Sequence, residues 1–270
     1  MEQKSPEEIK KAVLNRYSSH ARKRLAELEQ AAAASSCCCA PQAPVAETSS
    51  CCSAPAAEAD RNVVDALYGR EDLAELPEDV LTSLGCGNPM AIAGLHEGEA
   101  VLDLGSGGGL DCFLAAKRVG AGGSVVGLDM SGDMIQLARR NAGRIGIDNV
   151  QFRLGEMEEM PFADGSFDVI ISNCVINLSP DKDAVLREAY RVLKPGGRLR
   201  ASDIVWTREP SAAERNDLAS WTSCVAGALT ESDYAAKLRA AGFQDVRVEP
   251  KDGTPVGNLY SANVSAEKKS

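Results

Sequence analysis

The chain has 270 residues, of which 44% are hydrophobic, and its formal net charge is −10, from 39 acidic and 29 basic residues. This length and apolar content suffice for one large domain with appendages. The negative charge balance argues against a nucleic-acid partner. The sequence has no run of about 18 consecutive apolar residues, so we expect no membrane span. Its charged N-terminus lacks the apolar core of a signal peptide, so we expect a cytoplasmic protein.

The cysteines are the most informative part of the composition. The sequence contains nine cysteines but only two histidines, His20 and His96. In a cytoplasmic protein, cysteines at this density indicate metal-binding or catalytic thiols rather than a disulfide framework. With two histidines, the sequence offers few candidates for a zinc site of mixed Cys and His ligands or for a histidine general base. We expect His96 to be a loop residue.

The N-terminal 61 residues divide into a helix and a segment of low complexity. Ser5 is a typical N-cap and Pro6 suits a first turn, so we predict a helix from Pro6 to about Glu29. Residues 30–60 are rich in Ala, Ser and Pro, which predicts a flexible segment. It carries five clustered cysteines, namely Cys37, Cys38, Cys39, Cys51 and Cys52. Because exposed thiols are readily oxidised, we favour a role in binding a soft metal or metalloid over a tolerated disordered tract.

The next segment leads into a glycine-rich loop. Residues 62–88 are predicted to form two helices and a turn with Cys86 at its centre, and a short helix is predicted over 90–95. A strand at Ala100–Leu104 is then followed by Gly105, Gly107, Gly108 and Gly109 and by a helix from Cys112 to about Val119. Strand, glycine turn and helix form the opening of a nucleotide-binding βαβ unit.

The spacing of the glycines bears on the ligand. Position 110 is Leu, where the dinucleotide fingerprint requires a third glycine, so an NAD-type site is disfavoured. The second predicted strand, Ser124–Asp129, ends in an acid, and a carboxylate at that place suits a ribose diol.

The remaining elements continue the alternation of strands and helices. Ser131 is the expected N-cap of the next helix. Helices are predicted over 131–144, 183–193, 214–225 and 231–241, strands over 149–154, 167–172, 197–205, 243–249 and 257–265, and a turn at 194–197. This order predicts an α/β fold of the Rossmann-like type, with a mostly parallel twisted sheet, helices on both faces and an edge closed by the last two strands as a hairpin. We expect an N-terminal segment at 1–61, a nucleotide-binding domain at 62–205 and a capping region at 206–270.

Three cysteines outside the N-terminal segment need separate interpretations. Cys174 directly follows the fourth predicted strand, and since the carboxyl ends of parallel strands line the ligand crevice, we expect it to face that crevice. Cys224 lies in the capping region over the same crevice. Cys112 lies inside a predicted helix, where a buried cysteine most often acts as a small hydrophobe.

Several motifs together resemble a known family. Residues 103–107 (DLGSG) with 127–130 (GLDM) resemble the class I S-adenosylmethionine-dependent methyltransferases. Adding 84–89 (LGCGNP), 171–182 (ISNCVINLSPDK) and 221–224 (WTSC), the chain resembles the arsenite S-adenosylmethionine methyltransferases over about residues 62–250.

The resemblance implies a reaction and a set of site residues. Cys86, Cys174 and Cys224 would bind trivalent arsenic and act in catalysis, with Cys51 and Cys52 as further candidate ligands. The methyl donor would be held by Asp103, Gly105, Ser106, Gly107, Asp129, Met130, Gly155, Glu156 and Asn173. The implied partners are arsenite, methylarsenite and a thiol reductant such as glutathione or thioredoxin. Soft trivalent arsenic prefers thiolates, and its lone pair can attack the methyl group of the donor.

Two other functions are compatible with parts of the sequence. A methyltransferase for a small organic acceptor, such as a quinone or sterol precursor, would have the same glycine loop but leaves the three cysteines unexplained. A thiol-based metalloid-binding or sensor protein would explain the cysteines but not the intact donor loop.

Overall fold

A seven-stranded sheet forms the centre of the computed structural model, which describes residues 4–36, 64–73, 76–81, 85, 87–251, 255 and 257–270. The strands are β1 Ala100–Leu104, β2 Ser124–Asp129, β3 Val150–Leu154, β4 Phe167–Asn173, β5 Leu193–Trp206, β6 Gln244–Pro250 and β7 Leu259–Glu267. Their order is β3-β2-β1-β4-β5-β7-β6. The pairs among β1 to β5 are parallel, and β7 pairs antiparallel with both β5 and β6. The predicted Rossmann-like fold and its C-terminal hairpin are therefore confirmed.

Alternation along the central strands places side chains on both faces of the sheet. Leu102 and Ile170 belong to one buried cluster, whereas Val101 and Ile171 belong to another. Because both faces are covered, β1 and β4 are almost wholly apolar, as expected for central parallel strands.

Five longer helices accompany the sheet: α1 Pro6–Ser36, α2 Leu110–Val119, α3 Gly132–Ile145, α4 Lys182–Val192 and α5 Glu231–Ala240. Short helices span Arg70–Leu73, Met90–Ala93, Ala212–Arg215 and Leu218–Trp221, and 3-10 turns span Glu78–Val80 and Ile176–Leu178. Ser131 caps α3 as predicted, since its side chain accepts a hydrogen bond from the Met134 N–H. No helix in the described part of the chain is long and apolar enough to cross a membrane.

Three sequence-based element predictions were wrong in part. Residues 30–36 continue α1 instead of starting a flexible segment, because the run of alanines there favours helix. The predicted helix over 214–225 is two short helices, the second of which is capped by Asp217, whose carboxylate accepts from the Ala219 N–H at 3.0 Å. The predicted turn at 194–197 belongs to β5. The rest of the predicted flexible segment, residues 37–60, lies outside the described residues.

Helix α1 packs across the carboxyl ends of the parallel strands. Its Ser18 Oγ lies 2.8 Å from Ser131 Oγ, and Arg22 pairs with Asp133 on α3 at 2.7 Å. At another point Arg16 Nη1 donates to Thr222 Oγ1 at 3.0 Å. The helix thus joins the nucleotide-binding part of the sheet to the segment that carries Cys224.

Candidate active site

The glycine loop between β1 and α2 is tied to the end of β2. The N–H groups of Gly105 and Ser106 both donate to the Leu128 carbonyl, at 2.8 and 3.0 Å. A Cβ on Gly105 would lie 2.3 Å from Val175 Cγ2, so only glycine fits there. Gly107 has φ +50 and faces open space, which leaves its backbone accessible to a ligand.

Asp129 at the tip of β2 is held by this loop. One carboxylate oxygen accepts from the Gly107 N–H at 3.0 Å, and the other accepts from the Ser131 N–H at 2.8 Å. Burial raises the pKa of Asp129, while these two backbone hydrogen bonds act in the opposite direction. The carboxylate is thereby fixed in orientation beside the loop.

A cavity opens next to the glycine loop and brings together most of the predicted donor-binding residues. It is lined by Gly105, Ser106, Gly107, Asp129, Met130, Gly155 and Asn173. We call it the donor cavity. Two predicted residues do not line it. Asp103 is 2% exposed and lies beneath the loop, where it accepts a hydrogen bond from the Cys112 thiol at 3.2 Å. The side chain of Glu156 is largely exposed and pairs with Lys10 at 2.5 Å.

Asp111 is a cavity residue that the sequence analysis missed. It lies in the first turn of α2, and its carboxylate accepts hydrogen bonds from Tyr68 Oη at 2.8 Å and Asn173 Nδ2 at 3.2 Å. Burial raises its pKa. Asp111 could have been identified from the sequence, because a residue in the first helical turn after a glycine loop lies beside the place where the ligand binds.

Asn173 joins the end of β4 to Gly87, the residue that follows Cys86 in the chain. Its Nδ2 donates to the Gly87 carbonyl at 2.8 Å, and its Oδ1 accepts from the Gly87 N–H at 3.1 Å. A Cβ on Gly85 would lie 2.3 Å from Asn173 Cγ, and one on Gly87 would lie 2.3 Å from Ser202 Cβ. Cys86 itself lies outside the described residues, as do Cys37, Cys38, Cys39, Cys51 and Cys52.

Cys174 and Cys224 lie together, each 2% exposed, although 50 positions separate them in the chain. The Cys224 thiol donates to the Cys174 carbonyl at 2.8 Å. Both residues have positive φ, 60 and 63 degrees, a conformation that L-residues other than glycine adopt at a cost. They share an apolar cluster with Ile9, Val13 and Leu178. Cys174 lies between Asn173 and Val175, which both line the donor cavity.

Tyr17 of α1 borders both the donor cavity and this thiol pair. It lines the cavity and packs against the cluster of Cys174 and Cys224. Burial, and then the neighbouring Cys224 thiol, raise the pKa of Tyr17 above its usual value. Tyr17 shares the apolar face of α1 with Ile9 and Val13, but the sequence does not indicate what that face covers.

The third cysteine of the described region has a different environment. Cys112 lies on α2 and is fully buried in a hydrophobic cluster. Burial, and then the neighbouring Asp103 carboxylate, raise the pKa of its thiol. The three described cysteines outside the N-terminal segment, Cys112, Cys174 and Cys224, form no disulfide. Among the residues with described positions, no group of three or more His, Cys, Asp or Glu side chains is arranged to hold a metal ion.

Comparison with known proteins identifies the family. Residues 95–242 match the family model described as a methyltransferase domain. The arsenite methyltransferases of Halobacterium salinarum and Aquipseudomonas alcaligenes are 50% and 48% identical to this chain, over 68% and 64% of its length. The crystal structure of an arsenic(III) S-adenosylmethionine methyltransferase from Chlamydomonas reinhardtii superposes with a TM-score of 0.64 at 38% identity, covering 74% of this chain and 73% of that one.

The chain belongs to the arsenic(III) S-adenosylmethionine methyltransferase family. It spans about half the length of the curated relatives it matches, namely 47% of the Halobacterium protein and 51% of the Aquipseudomonas protein.

The donor cavity fits the methyl donor for which the family is named. The buried Ser106 Oγ has no hydrogen-bond partner among the described residues, although it lines the cavity. Gly107 leaves space beside it that a Cβ would fill. The carboxylates of Asp111 and Asp129 face the same space, which suits a cationic ligand that also carries hydroxyl groups.

Proposed function

We propose that this chain transfers a methyl group from S-adenosylmethionine to trivalent arsenic held by Cys86, Cys174 and Cys224. The observation that carries the proposal is the buried pair Cys174 and Cys224, of which Cys174 lies in the chain between two lining residues of the donor cavity, Asn173 and Val175. Burial keeps water from the thiols. The positive φ of each cysteine is a conformational cost that a purely structural cysteine has no need to bear.

The residues of the donor cavity have separate roles in this proposal. Gly105 and Gly107 let the backbone approach the donor, and Asp129 accepts hydrogen bonds from its ribose hydroxyls. Asp111 offers a negative charge to the sulfonium and ammonium groups, a role that the sequence analysis did not assign. Asn173 holds Asp111 and the turn at Gly87 in one network, so it aligns the donor and the cysteine-bearing turn.

The cysteines are suited to bind a soft acceptor. Thiolates are the preferred ligands of soft trivalent arsenic, and three of them leave the arsenic lone pair free. When bound, S-adenosylmethionine would supply an electrophilic methyl group to the arsenic lone pair and would be left as a neutral thioether. Because the lone pair becomes the new As–C bond, the arsenic would then be formally pentavalent, and two electrons from the small thiol reductant, which is oxidised to a disulfide, would return it to the trivalent state. The protein therefore has to position the reactants and exclude water, and it needs no general base at the acceptor. This agrees with the scarcity of histidines.

The proposal also includes the remaining expectations from the sequence. Arsenite and methylarsenite are the small substrates, and glutathione or thioredoxin keeps the cysteines reduced. Such a cycle suits the cytoplasm, where thiols stay reduced. Cys51 and Cys52 bind arsenite before it reaches Cys86, Cys174 and Cys224.

Serine substitutions test the proposed acceptor site. Cys174→Ser and Cys224→Ser should each abolish methylation of arsenite, because a hydroxyl group is a hard and weak ligand for arsenic. The affinity for S-adenosylmethionine, measured by calorimetry, should stay within about threefold of the wild-type value, a difference below 1 kcal/mol. Cys112→Ser is the matched control, since Cys112 is buried in a different cluster from Cys174 and Cys224 and does not line the donor cavity. Wild-type turnover in either of the first two variants would contradict the assignment.

Changing Cys86 to serine should affect the two arsenic substrates differently. Methylarsenite has one valence occupied by carbon and two available for thiolates, so Cys174 and Cys224 suffice to hold it. Cys86→Ser should therefore lose turnover of arsenite and keep turnover of methylarsenite. Equal loss with both substrates would place Cys86 among the obligatory ligands.

A further inference from the structure

The turn that follows Cys174 packs closely against the segment that carries Cys224. A Cβ on Gly227 would lie 2.1 Å from the Asn177 carbonyl oxygen and 2.4 Å from Trp221 Cζ3, so only glycine fits between the two segments. The Cys224 thiol also donates to the Cys174 carbonyl at 2.8 Å. The separation of the two sulfur atoms therefore depends on how these segments are held together.

Lys182 contacts both segments through its ammonium group. Its Nζ donates at 2.8 Å to the carbonyl of Ser179, the residue that ends the 3-10 turn after Cys174. The same Nζ lies 5.0 Å from the centre of the ring of Trp221, the last residue of the short helix before Cys224. The charge of Lys182 also acts on the Cys224 thiol. Lys182 therefore joins the two segments that carry the thiol pair.

The position of Lys182 is unfavourable for a cation. The residue is 7% exposed and begins α4, where the helix dipole disfavours positive charge. Burial lowers the pKa of Lys182 to about 8, and the charge of Asp203 acts in the opposite direction. Among the described residues the ammonium group forms no ion pair. A methionine side chain, which has a similar length and no charge, would avoid the cost of burying this cation.

The start of α4 is held by other contacts. Asp181 caps the helix by accepting from the Ala184 N–H at 2.9 Å, and Asp183 accepts from Lys237 at 2.8 Å. The helix therefore does not need Lys182 in order to begin at this residue. The contact between the two cysteine-bearing segments is what the buried charge adds.

We propose that Lys182 is a positioning residue that holds Cys174 and Cys224 at the separation at which one arsenic atom binds both sulfur atoms. The inference rests on the proposed function. A ligand that must bond to two thiols binds more tightly when both are already held in place, because less freedom is lost on binding. A hydrogen bond from an ammonium group and its contact with an aromatic face are both stronger in a buried site than in water.

Binding of methylarsenite to the full chain tests this role by calorimetry. In each protein compared, the N-terminal cysteines and Cys86 are changed to serine, so that a pair of thiols remains only at Cys174 and Cys224. Lys182→Met should bind methylarsenite about tenfold more weakly, because the two segments lose their common contact. Lys182→Arg keeps a cation beside the Trp221 ring and should bind within about threefold of the unchanged protein. Unchanged affinity in Lys182→Met, or an equal loss in Lys182→Arg, would overturn the proposal.

Lys268→Met is the matched control. Lys268 Nζ donates to the carbonyls of Tyr190 and Leu193, both at 2.7 Å, and lies 4.7 Å from the centre of the Tyr190 ring. It therefore makes the same kinds of contact, but outside the apolar cluster that contains the thiol pair. The control should bind methylarsenite as the unchanged protein does. A loss as large as that in Lys182→Met would assign the effect to general loosening of the fold and would overturn the proposal.

Dibromobimane tests the separation of the thiols without arsenic, because it joins two thiols through two alkylation steps. Peptide mass spectrometry of the treated wild-type chain should find Cys174 and Cys224 joined. The ratio of joined to singly alkylated Cys224 should fall several-fold in Lys182→Met. An absent bridge in the wild type, or an unchanged ratio in the variant, would overturn the proposal. If the wild type binds no methylarsenite, the proposed function fails at the acceptor site, and the bridging ratio still decides the role of Lys182.

Discussion

At the scale of single residues, Asn173 connects several parts of the candidate active site through its side-chain amide. Its amide contacts Gly87 twice, Tyr68 once and Asp111 once, with distances from 2.8 to 3.2 Å. A side chain of this kind is difficult to find from sequence. The resemblance to the methyltransferases implied that Asn173 contacts the donor, but its partners Tyr68 and Gly87 are distant in the chain.

Removing the Asn173 amide should disconnect this network. Asn173→Ala should reduce the free energy of unfolding by about 1–3 kcal/mol, because buried partners lose their hydrogen bonds, and it should abolish most methylation. Asn149→Ala removes a comparable amide, which donates to the carbonyls of Ala116 and Gly120 away from the site. The control should lose stability but keep its affinity for S-adenosylmethionine, measured by calorimetry. Equal donor affinity in both variants would exclude Asn173 from the donor site.

The titration of Asp111 gives a second prediction at this scale. Burial raises its pKa to about 6, although Tyr68 and Asn173 stabilise the ionised form. A cationic donor prefers the ionised carboxylate, so donor affinity should fall as the pH drops below about 6, approaching tenfold per pH unit. Calorimetry of Asp111→Asn from about one pH unit below this pKa to about two units above it should show weaker donor binding and a flatter pH dependence than the wild type. An unchanged pH profile in the variant would remove Asp111 from donor binding.

At the scale of elements, α1 was predicted as a helix but not as part of the site. The start of α1 could be predicted from Ser5 and Pro6, because capping residues act on the adjacent backbone. Its place in the site could not be predicted, since the apolar face of Ile9, Val13 and Tyr17 shows that the helix packs on another part of the protein but not on which part. The glycine loop and the elements β1, β2 and α2 could all be predicted from the sequence, because the motif itself specifies strand, turn and helix. The C-terminal helices were less predictable, since Asp217 competes locally with helix continuation.

Two substitutions at Tyr17 separate its ring from its hydroxyl group. Tyr17→Ala should open the wall between α1 and the donor cavity, so donor affinity should fall by about 2 kcal/mol or more, from lost aromatic burial. Tyr17→Phe keeps the ring, so donor affinity should stay near the wild-type value, while the alkylation rate of Cys224 by iodoacetamide should change. Lys11→Ala, exposed on the same helix, is the control. Wild-type donor affinity in Tyr17→Ala would contradict the role of α1 as a cavity wall.

At the scale of the whole molecule, the proposed division into 1–61, 62–205 and 206–270 needs one qualification. Helix α1 packs on α3 and on the segment near Cys224 through Ser18, Arg22 and Arg16, so it is not separate from the domain that carries the donor cavity. The N-terminal cysteines follow α1 in the chain. Their contribution therefore has to be tested without removing the helix.

Changing the five N-terminal cysteines to serine isolates that contribution. The variant with serine at 37, 38, 39, 51 and 52 should need several-fold more arsenite for half-maximal rate, since a tethered thiol acts at an effective concentration on the order of millimolar. Its rate at saturating arsenite and excess thiol should be nearly unchanged. Deletion of residues 1–60 should instead lose donor affinity, because it removes α1. A complete loss of turnover in the serine variant at saturation would make the N-terminal cysteines part of the catalytic site.

The most direct measurement follows the methyl group itself. The full chain is incubated with arsenite, a small thiol and S-adenosylmethionine labelled in its methyl group, and the arsenic species are separated by chromatography and identified by mass spectrometry. We predict labelled methylarsenicals, one S-adenosylhomocysteine formed per methyl group transferred, and no product when Cys174 or Cys224 is changed to serine. Arsenite recovered bound but unmethylated, with the donor intact, would contradict the account and would favour a metalloid-binding protein.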